Sequence, residues 1–289
     1  MRGLVNWQLV ESMTGWATNK GDEAIGTWDS WADKWAKRCE LETEFTQCQA
    51  DAIAFGPEDT VLDACCGTGR LTVPLARRAR RVTALDASPN MLAWCRRRCN
   101  EAGLTNVETK LVRNWHSAEP GVDFEVHDVA VACISPASAD LAKLSRAARK
   151  RCYSLSFSKP FIYGDMLYNL FAGITEEWRD AEARMAQIRR PDSDGRSLEL
   201  DLAFNVLYEL GTNPKVDYVD GGWVCEGDSP EEVYSKLAKL DEVLPGMETR
   251  FRDNVDRGMR HLPNGGWRYE ALTQMYVLSW DPNEVEQRA

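Results

Sequence analysis

From position 60 onward the chain alternates short apolar runs with longer stretches whose apolar positions recur every three or four residues. The apolar runs predict strands at 60–64, 81–86, 107–112, 127–134 and 151–157, and the periodic stretches predict helices at 69–79, 89–102 and 137–149. Strands that are apolar on both faces need cover on both sides, so the alternation predicts a parallel sheet between two layers of helices. Upstream, 27–48 reads as one amphipathic helix capped by Thr27, with Trp28, Trp31 and Trp35 on a single face. After Pro160 the rhythm changes. Helices are expected at 164–173, 175–188 and 197–210, with a polar turn at Pro191-Asp-Ser-Asp-Gly195, followed by an extended segment at 216–225. Ser229-Pro-Glu-Glu232 then opens a helix with a capping serine, proline at the first position and acids in the first turn. A helix at 246–261 and strands at 267–271 and 274–280 complete the pattern, which divides into a helical cap (1–55), an α/β core (56–159) and a helical cover with the last strands (160–289).

Charge alters this picture in one respect. Residues 1–159 carry 21 Lys/Arg against 20 Asp/Glu, while 160–289 carry 14 against 25, so nearly all of the net charge of −10 lies in the second half. A reader of nucleic acid wants a basic surface beside its substrate, and the acidic half offers the opposite. The arginine runs at 77–81, 96–98 and 146–151 fall near predicted helix ends, where cations complement the helix dipole and face water. No apolar run approaches the roughly 20 residues that span a bilayer, and the N-terminus lacks the charged-then-apolar plan of a secretory signal. A cytoplasmic protein is the expectation. Nine cysteines without paired Cys-x-x-Cys or Cys/His spacing predict reduced thiols and no metal site.

The candidate chemistry sits where the first strand ends. Val61-Leu-Asp-Ala-Cys-Cys-Gly-Thr-Gly69 is a strand running into a tight Gly-x-Gly turn, and Val82-Thr-Ala-Leu-Asp86 is a second strand ending in an acid. Gly67 and Gly69 let backbone turn sharply and approach a ligand. Asp86 follows at about the spacing at which a carboxylate meets the two hydroxyls of a ribose. No third glycine completes a dinucleotide fingerprint, and no Lys-Ser/Thr completes a phosphate loop. An acid inside the loop, Asp63, repels a pyrophosphate and suits a cation. The ligand expected is a nucleoside without phosphates that carries positive charge.

Those two segments, with Ala87-Ser-Pro-Asn-Met91 following the acid, resemble the class I S-adenosylmethionine-dependent methyltransferases of small-molecule type. The resemblance is specific over about 57–134 and looser to 158. It implies a Rossmann-like, doubly wound, seven-stranded and mostly parallel sheet, with an N-terminal helical lid and a helical insertion before the last strands. It implies S-adenosyl-L-methionine as cofactor, with Asp63, Cys65, Gly67 and Gly69 along its methionine portion and Asp86 on its ribose. Met91 is then placed near adenine, Asn114 on the adenine amino group and Trp115 beside the ring, while Trp31, Ala64, Ala87 and Cys133 complete the cofactor-binding set. Cys65 departs from the family's commonest pattern, which has glycine there. Asp128-Val-Ala-Val-Ala-Cys-Ile-Ser-Pro136 lacks the Asn-Pro-Pro-Tyr/Phe signature of the amino-methylating enzymes.

In-line transfer from a sulfonium depends on alignment, and a general base is optional. His116, Tyr163 and Tyr168 are the expected catalytic candidates, with Ser135 and His261 behind them. His127, at the strand end away from the crevice, is set aside. The acidic cover favours a neutral or cationic small-molecule acceptor, and the inserted mass shapes a pocket or an oligomer contact such as a homodimer. Alternative readings are an RNA or protein methyltransferase, and a silent cofactor-binding scaffold. For the tryptophan face the two readings are packing on the sheet and a lid over the crevice.

Overall fold

All five residues of β1 (Thr60–Ala64) are buried, because its neighbours β2 (Arg81–Asp86) and β4 (His127–Cys133) flank it and both of its faces are covered. A computed structural model of the chain describes residues 22–158, 162–181 and 198–285. With β3 (Val107–Leu111), β5 (Ala148–Phe157), β6 (Lys215–Gly227) and β8 (Trp267–Trp280), the sheet runs in the order β3-β2-β1-β4-β5-β8-β6, and β7 (Met259–His261) pairs with β8. The first five strands in that order are parallel, and β8 is antiparallel to its neighbours. The period-2 alternation separates two cores. Leu62, Ala64, Ala130, Ala132 and Leu278 face one side, against α5 (Leu141–Arg146) and α7 (Leu198–Glu209). Val61, Val82, Val131, Leu155 and Val277 face the other, with α2 (Thr43–Asp51) and α3 (Thr72–Ala76). Burying each such side chain contributes about 1.5–3 kcal/mol before entropy is charged against it.

The predicted helix at 27–48 is broken. α1 (Asp22–Cys39) gives way at Glu40–Glu42 to a tighter turn before α2. The break carries Glu42 inward, where its carboxylate accepts from Trp223 Nε1 at 2.7 Å and lies 3.3 Å from Arg70 Nε. The helix expected at 69–79 shrinks to α3, because the backbone through Gly69, at φ +77°, belongs to the loop. The helix expected at 137–149 restarts at Asp140, whose carboxylate caps Lys143 N at 3.0 Å, and ends early because Ala148 already pairs with His127. α4 (Pro89–Glu101) begins as expected, capped by Ser88, whose Oγ accepts from Met91 N.

Two further departures concern strands. The segments 267–271 and 274–280 are one strand, paired to β6 from Trp267↔Gly227 to Ser279↔Lys215. The helix expected at 246–261 stops at Asp256 as α9 (Glu248–Asp256), and 259–261 pair with Tyr269–Trp267. β5 covers β8 only from Met275 to Trp280, so the rest of the β6–β8 ribbon projects past the carboxyl end of β5. On that projection α6 (Ile162–Phe171), α8 (Pro230–Leu237) and α9 bury a separate core around Trp178, Trp223, Leu237 and Phe251. The cover is thus a strand ribbon wrapped by helices, the expected extended segment at 216–225 and last strands forming the ribbon itself. Of the helix expected at 175–188, residues 175–180 form an isolated bridge from Thr175 to Val243 followed by turns, while 182–188 and the turn at 191–195 lie outside the described residues. Among the described residues no helix is long and apolar enough to cross a membrane.

Candidate active site

Strand order reverses between β1 and β4, since the chain steps outward from β1 to β2 and β3 and then crosses back to β4. The crevice above the carboxyl ends of these two strands is where open α/β sheets bind ligands. Both ends there carry strained backbone. Cys65, just past β1, has φ +59°, and Ile134, just past β4, has φ +48°, a conformation unusual for a β-branched residue. Ser135 ties the two ends together by donating to Ala64 O at 3.1 Å.

The loop from Cys65 to Gly69 is pinned by β2. Cys66 N donates to Leu85 O at 2.7 Å, and Gly67 N donates to Asp86 Oδ2 at 2.8 Å. The other carboxylate oxygen of Asp86 accepts from Ser88 N at 2.9 Å. Each oxygen keeps a lone pair, the arrangement that accepts a pair of adjacent hydroxyls. Burial raises the Asp86 carboxyl above its ordinary range, while the N–H groups of Ser88, Gly67 and Ala87 oppose the rise. Asp63 is more deeply placed. It is 2% exposed and accepts from Thr72 Oγ1 at 2.6 Å, and burial pushes its carboxyl up to about 7. Through Thr72 it ties the end of β1 to the start of α3, behind the loop.

Helix α1 lies along α4 and over this loop. Asp29 accepts from Ser88 Oγ at 2.6 Å and Asn90 N at 2.9 Å, Asp33 accepts from Trp94 Nε1 at 2.7 Å, and Arg98 donates to Ala36 O at 2.7 Å. Trp28 meets Trp31 and Trp35 edge to face, at 6.3 and 5.7 Å, and a Cβ on Gly67 would sit 3.8 Å from Trp35 Nε1. The tryptophans therefore face the glycine loop and one another. Met91 is buried in the first turn of α4, and Ala87 is half-buried just past Asp86. Cys133 Sγ, at the end of β4, lies 3.4 Å from Arg70 Nη2.

The remaining candidates scatter. Asn114 is exposed after β3, and its Oδ1 already accepts from His116 N at 2.9 Å. Trp115 is 4% exposed, stacked on Phe124 at 5.5 Å with Lys143 Nζ 5.9 Å from its ring centre. His116 is held through its carbonyl by Lys143 Nζ at 2.6 Å, on the β3 side of the crevice. Tyr168 packs on Trp178 at 6.5 Å inside the cover. Tyr163 lies in α6, but its side chain is outside the described part. His261 is exposed against Trp267 on β7. His127 is buried at the amino end of β4 between Glu125 O and Thr83 Oγ1, each 2.8 Å away. His116, Tyr168 and His261 stand on separate elements and form no constellation.

Sequence reasoning missed the polar chain behind the loop. Arg70 donates to Thr46 Oγ1 at 2.8 Å and Gln49 Oε1 at 2.7 Å as well as facing Glu42 and Cys133, so it links the glycine loop to α2 and to the ribbon. Its position directly after Gly69 is a signal, but only the break at 40–42 brings Glu42 within reach.

Residues 61–151 match the model of a family described as a methyltransferase domain. A 23S rRNA (uracil(1939)-C(5))-methyltransferase of Methylococcus capsulatus is 44% identical over 52 residues, which is 18% of this chain and 12% of that protein. A ubiquinone biosynthesis O-methyltransferase of Methylocella silvestris is 47% identical over 45 residues, 16% of this chain and 18% of that protein. The chain thus spans less than a fifth of the length of either relative. The magnesium protoporphyrin IX methyltransferase of Synechocystis, solved with bound SAH, superposes over 86% of this chain and 83% of its own, at 13% identity and a TM-score of 0.43.

Proposed function

We propose, from the methyltransferase domain that residues 61–151 form, that this chain transfers a methyl group from S-adenosylmethionine to a small molecule. The observation that carries the proposal is the crevice at the β1/β4 switch point, with its loop bonded to Asp86 and no Lys-Ser/Thr pair following the glycines. The residues fit the cofactor. Asp86 has lone pairs for a ribose diol, and positive-φ backbone at Cys65, Gly67 and Gly69 bares the loop for close approach. The Asp63 carboxylate supplies negative potential to a cationic ligand. When bound, S-adenosylmethionine supplies an electrophilic methyl on a sulfonium.

The chain's own contribution is to bind, orient and exclude water. In this reading Trp31 and Trp35 close the crevice from above, Met91 packs near the adenine and Asn114 accepts from its amino group. Alignment does most of the catalysis, and no side chain is assigned as general base, because the titratable candidates do not converge. The rRNA-methylating relative shares only 52 residues, and the acidic second half argues against a polyanionic acceptor.

Turnover is tested by incubating the chain with S-[methyl-³H]adenosylmethionine and separate metabolite, RNA and protein pools. Label is expected in the metabolite pool. Label confined to RNA or protein overturns the small-molecule acceptor, and no label in any pool, with cofactor binding intact, supports the silent scaffold.

A second test uses Asp63. A cation bound nearby favours its ionised form, so binding lowers its pKa from about 7 and releases protons when the pH is below that value. Calorimetry at pH 6.5 in two buffers of different ionisation enthalpy should show proton release on binding S-adenosylmethionine. Affinity should rise as pH rises to about 7 and then level off, and both effects should vanish in Asp63→Asn.

A further inference from the structure

We infer that Cys66 of the glycine loop and Cys95 of α4 are a peroxide-sensitive thiol pair, whose oxidation to a disulfide draws the loop off Asp86 and weakens ligand binding in the crevice. The disulfide stands on the packing of the thiols; only its consequence for S-adenosylmethionine rests on the methyltransferase reading.

Three thiols meet behind the loop. Cys95 and Cys99 lie one turn apart on α4 in a small cluster with Ala84, and Cys66 packs against that cluster. The Cys66 and Cys99 side chains each hydrogen-bond Cys95. Cys65 packs into the opposite core, so the two consecutive cysteines of the loop face different sides of the sheet. Among the described residues no group of three or more His, Cys, Asp or Glu is placed to hold a metal ion, which leaves electron chemistry for these free thiols.

Cys66 is half-buried while Cys95 and Cys99 are buried, so a reagent the size of a peroxide arrives at Cys66. Hydrogen bonds from Cys66 and Cys99 hold the Cys95 thiol well below its ordinary range, and Cys66 and Cys95 therefore share one proton between them. With that proton on Cys95, the Cys66 thiolate attacks the O–O bond of a hydroperoxide. Its sulfur is oxidised to a sulfenic acid, and the second oxygen leaves as hydroxide or alkoxide. The Cys95 sulfur then attacks the Cys66 sulfur, the S–O bond breaks, and the hydroxyl departs with the Cys95 proton as water. One peroxide is reduced for each disulfide formed.

The new bond brings the two sulfurs to about 2 Å. α4 does not follow the loop, being capped by Ser88 and fastened to α1 through Asp29 and Arg98. Nor can the loop slide toward α4 as a body, because a Cβ at Gly69 would already stand 2.9 Å from Cys95 Cα. The displacement therefore falls on Cys66 and Gly67, whose N–H groups bond Leu85 O and Asp86. Withdrawal of the Gly67 N–H disturbs the carboxylate that faces the ribose.

The test uses the full chain carrying Cys48→Ser, which removes the exposed thiol of α2, with hydrogen peroxide as oxidant. Mass spectrometry should show the loss of two hydrogens and a Cys66–Cys95 crosslinked peptide, both absent in Cys66→Ser and in Cys95→Ser. By calorimetry the oxidised chain should bind S-adenosylhomocysteine at least about tenfold more weakly than the reduced chain, and dithiothreitol should restore the affinity. Peroxide should leave the affinity of Cys95→Ser unchanged; that substitution lies on α4 and keeps the test intact where Cys66→Ser disturbs the loop. By reciprocity, a tenfold preference for the reduced chain means that saturating S-adenosylhomocysteine raises the pair's midpoint potential by about 30 mV. A crosslink that omits Cys66 or Cys95 overturns the inference, as does sulfinic acid at Cys66 in place of a disulfide, or an oxidised chain whose affinity stays within about threefold of the reduced one. Absence of binding to the reduced chain overturns the methyltransferase reading instead, and the mapped crosslink then decides the thiol pair by itself.

Discussion

Asp86→Ala is expected to weaken S-adenosylmethionine binding about 100-fold, which is about 2.7 kcal/mol. The carboxylate ends β2 and accepts from Gly67 N and Ser88 N, leaving one lone pair on each oxygen toward the crevice. Hydrogen bonds to a charged group contribute about 1.5–3 kcal/mol each, and alanine removes those to the ligand together with the anchor of the loop. Asp86→Asn should lose nearly as much, because one of its ends becomes a donor facing an existing N–H donor. Calorimetry gives the affinity and a thermal melt separates loop anchoring from unfolding. Affinity within threefold of wild type for both variants removes Asp86 from the site.

Gly69→Ala should be the most destabilising single-methyl addition in the loop. A Cβ at this position would lie 2.6 Å from Cys95 Sγ and 2.9 Å from Cys95 Cα, and the second of these atoms belongs to the backbone of α4 and cannot swing aside. The backbone is also at φ +77°, where any L side chain costs about 1–2 kcal/mol. Together the two effects predict a loss of about 3 kcal/mol or more, a fall in melting temperature of roughly 6–12 °C. Gly103 provides the control. Its φ is +68°, yet nothing lies within 4 Å of a Cβ built there, so Gly103→Ala should cost only about 1 kcal/mol. Equal losses at the two glycines would mean that α4 does not press on the loop in solution.

Local chemistry was legible where local rules dominate. β1, β2 and α4 follow from apolar runs and helical periodicity, and Asp86 ends β2 beside the glycine loop, bonded to Gly67 N. What failed depended on contacts distant in sequence. The break at Glu40–Glu42 is set by Trp223, some 180 residues away, and β7 is a strand only because 267–269 lie beside it. The expectation of two strands divided at Leu272 and Thr273 gives way to one long β8, because their pairing with Gly222 and Gly221 continues the ladder. The resemblance pointed to Trp115 without showing its packing partners, Phe124 and Lys143. The tryptophan stripe of α1 showed a face without showing what the face covers. Asp29 and Asp33 settle that by fastening the helix to α4.

The central claim is that the switch-point crevice takes a phosphate-free nucleoside bearing positive charge. It is tested most directly by titrating the full chain calorimetrically with S-adenosylmethionine in the absence and presence of excess NAD⁺. The account predicts one site with a dissociation constant on the order of micromolar, near −8 kcal/mol, and no displacement by NAD⁺. Binding of NAD⁺ that displaces S-adenosylmethionine, or no binding of S-adenosylmethionine up to millimolar concentration, would contradict it.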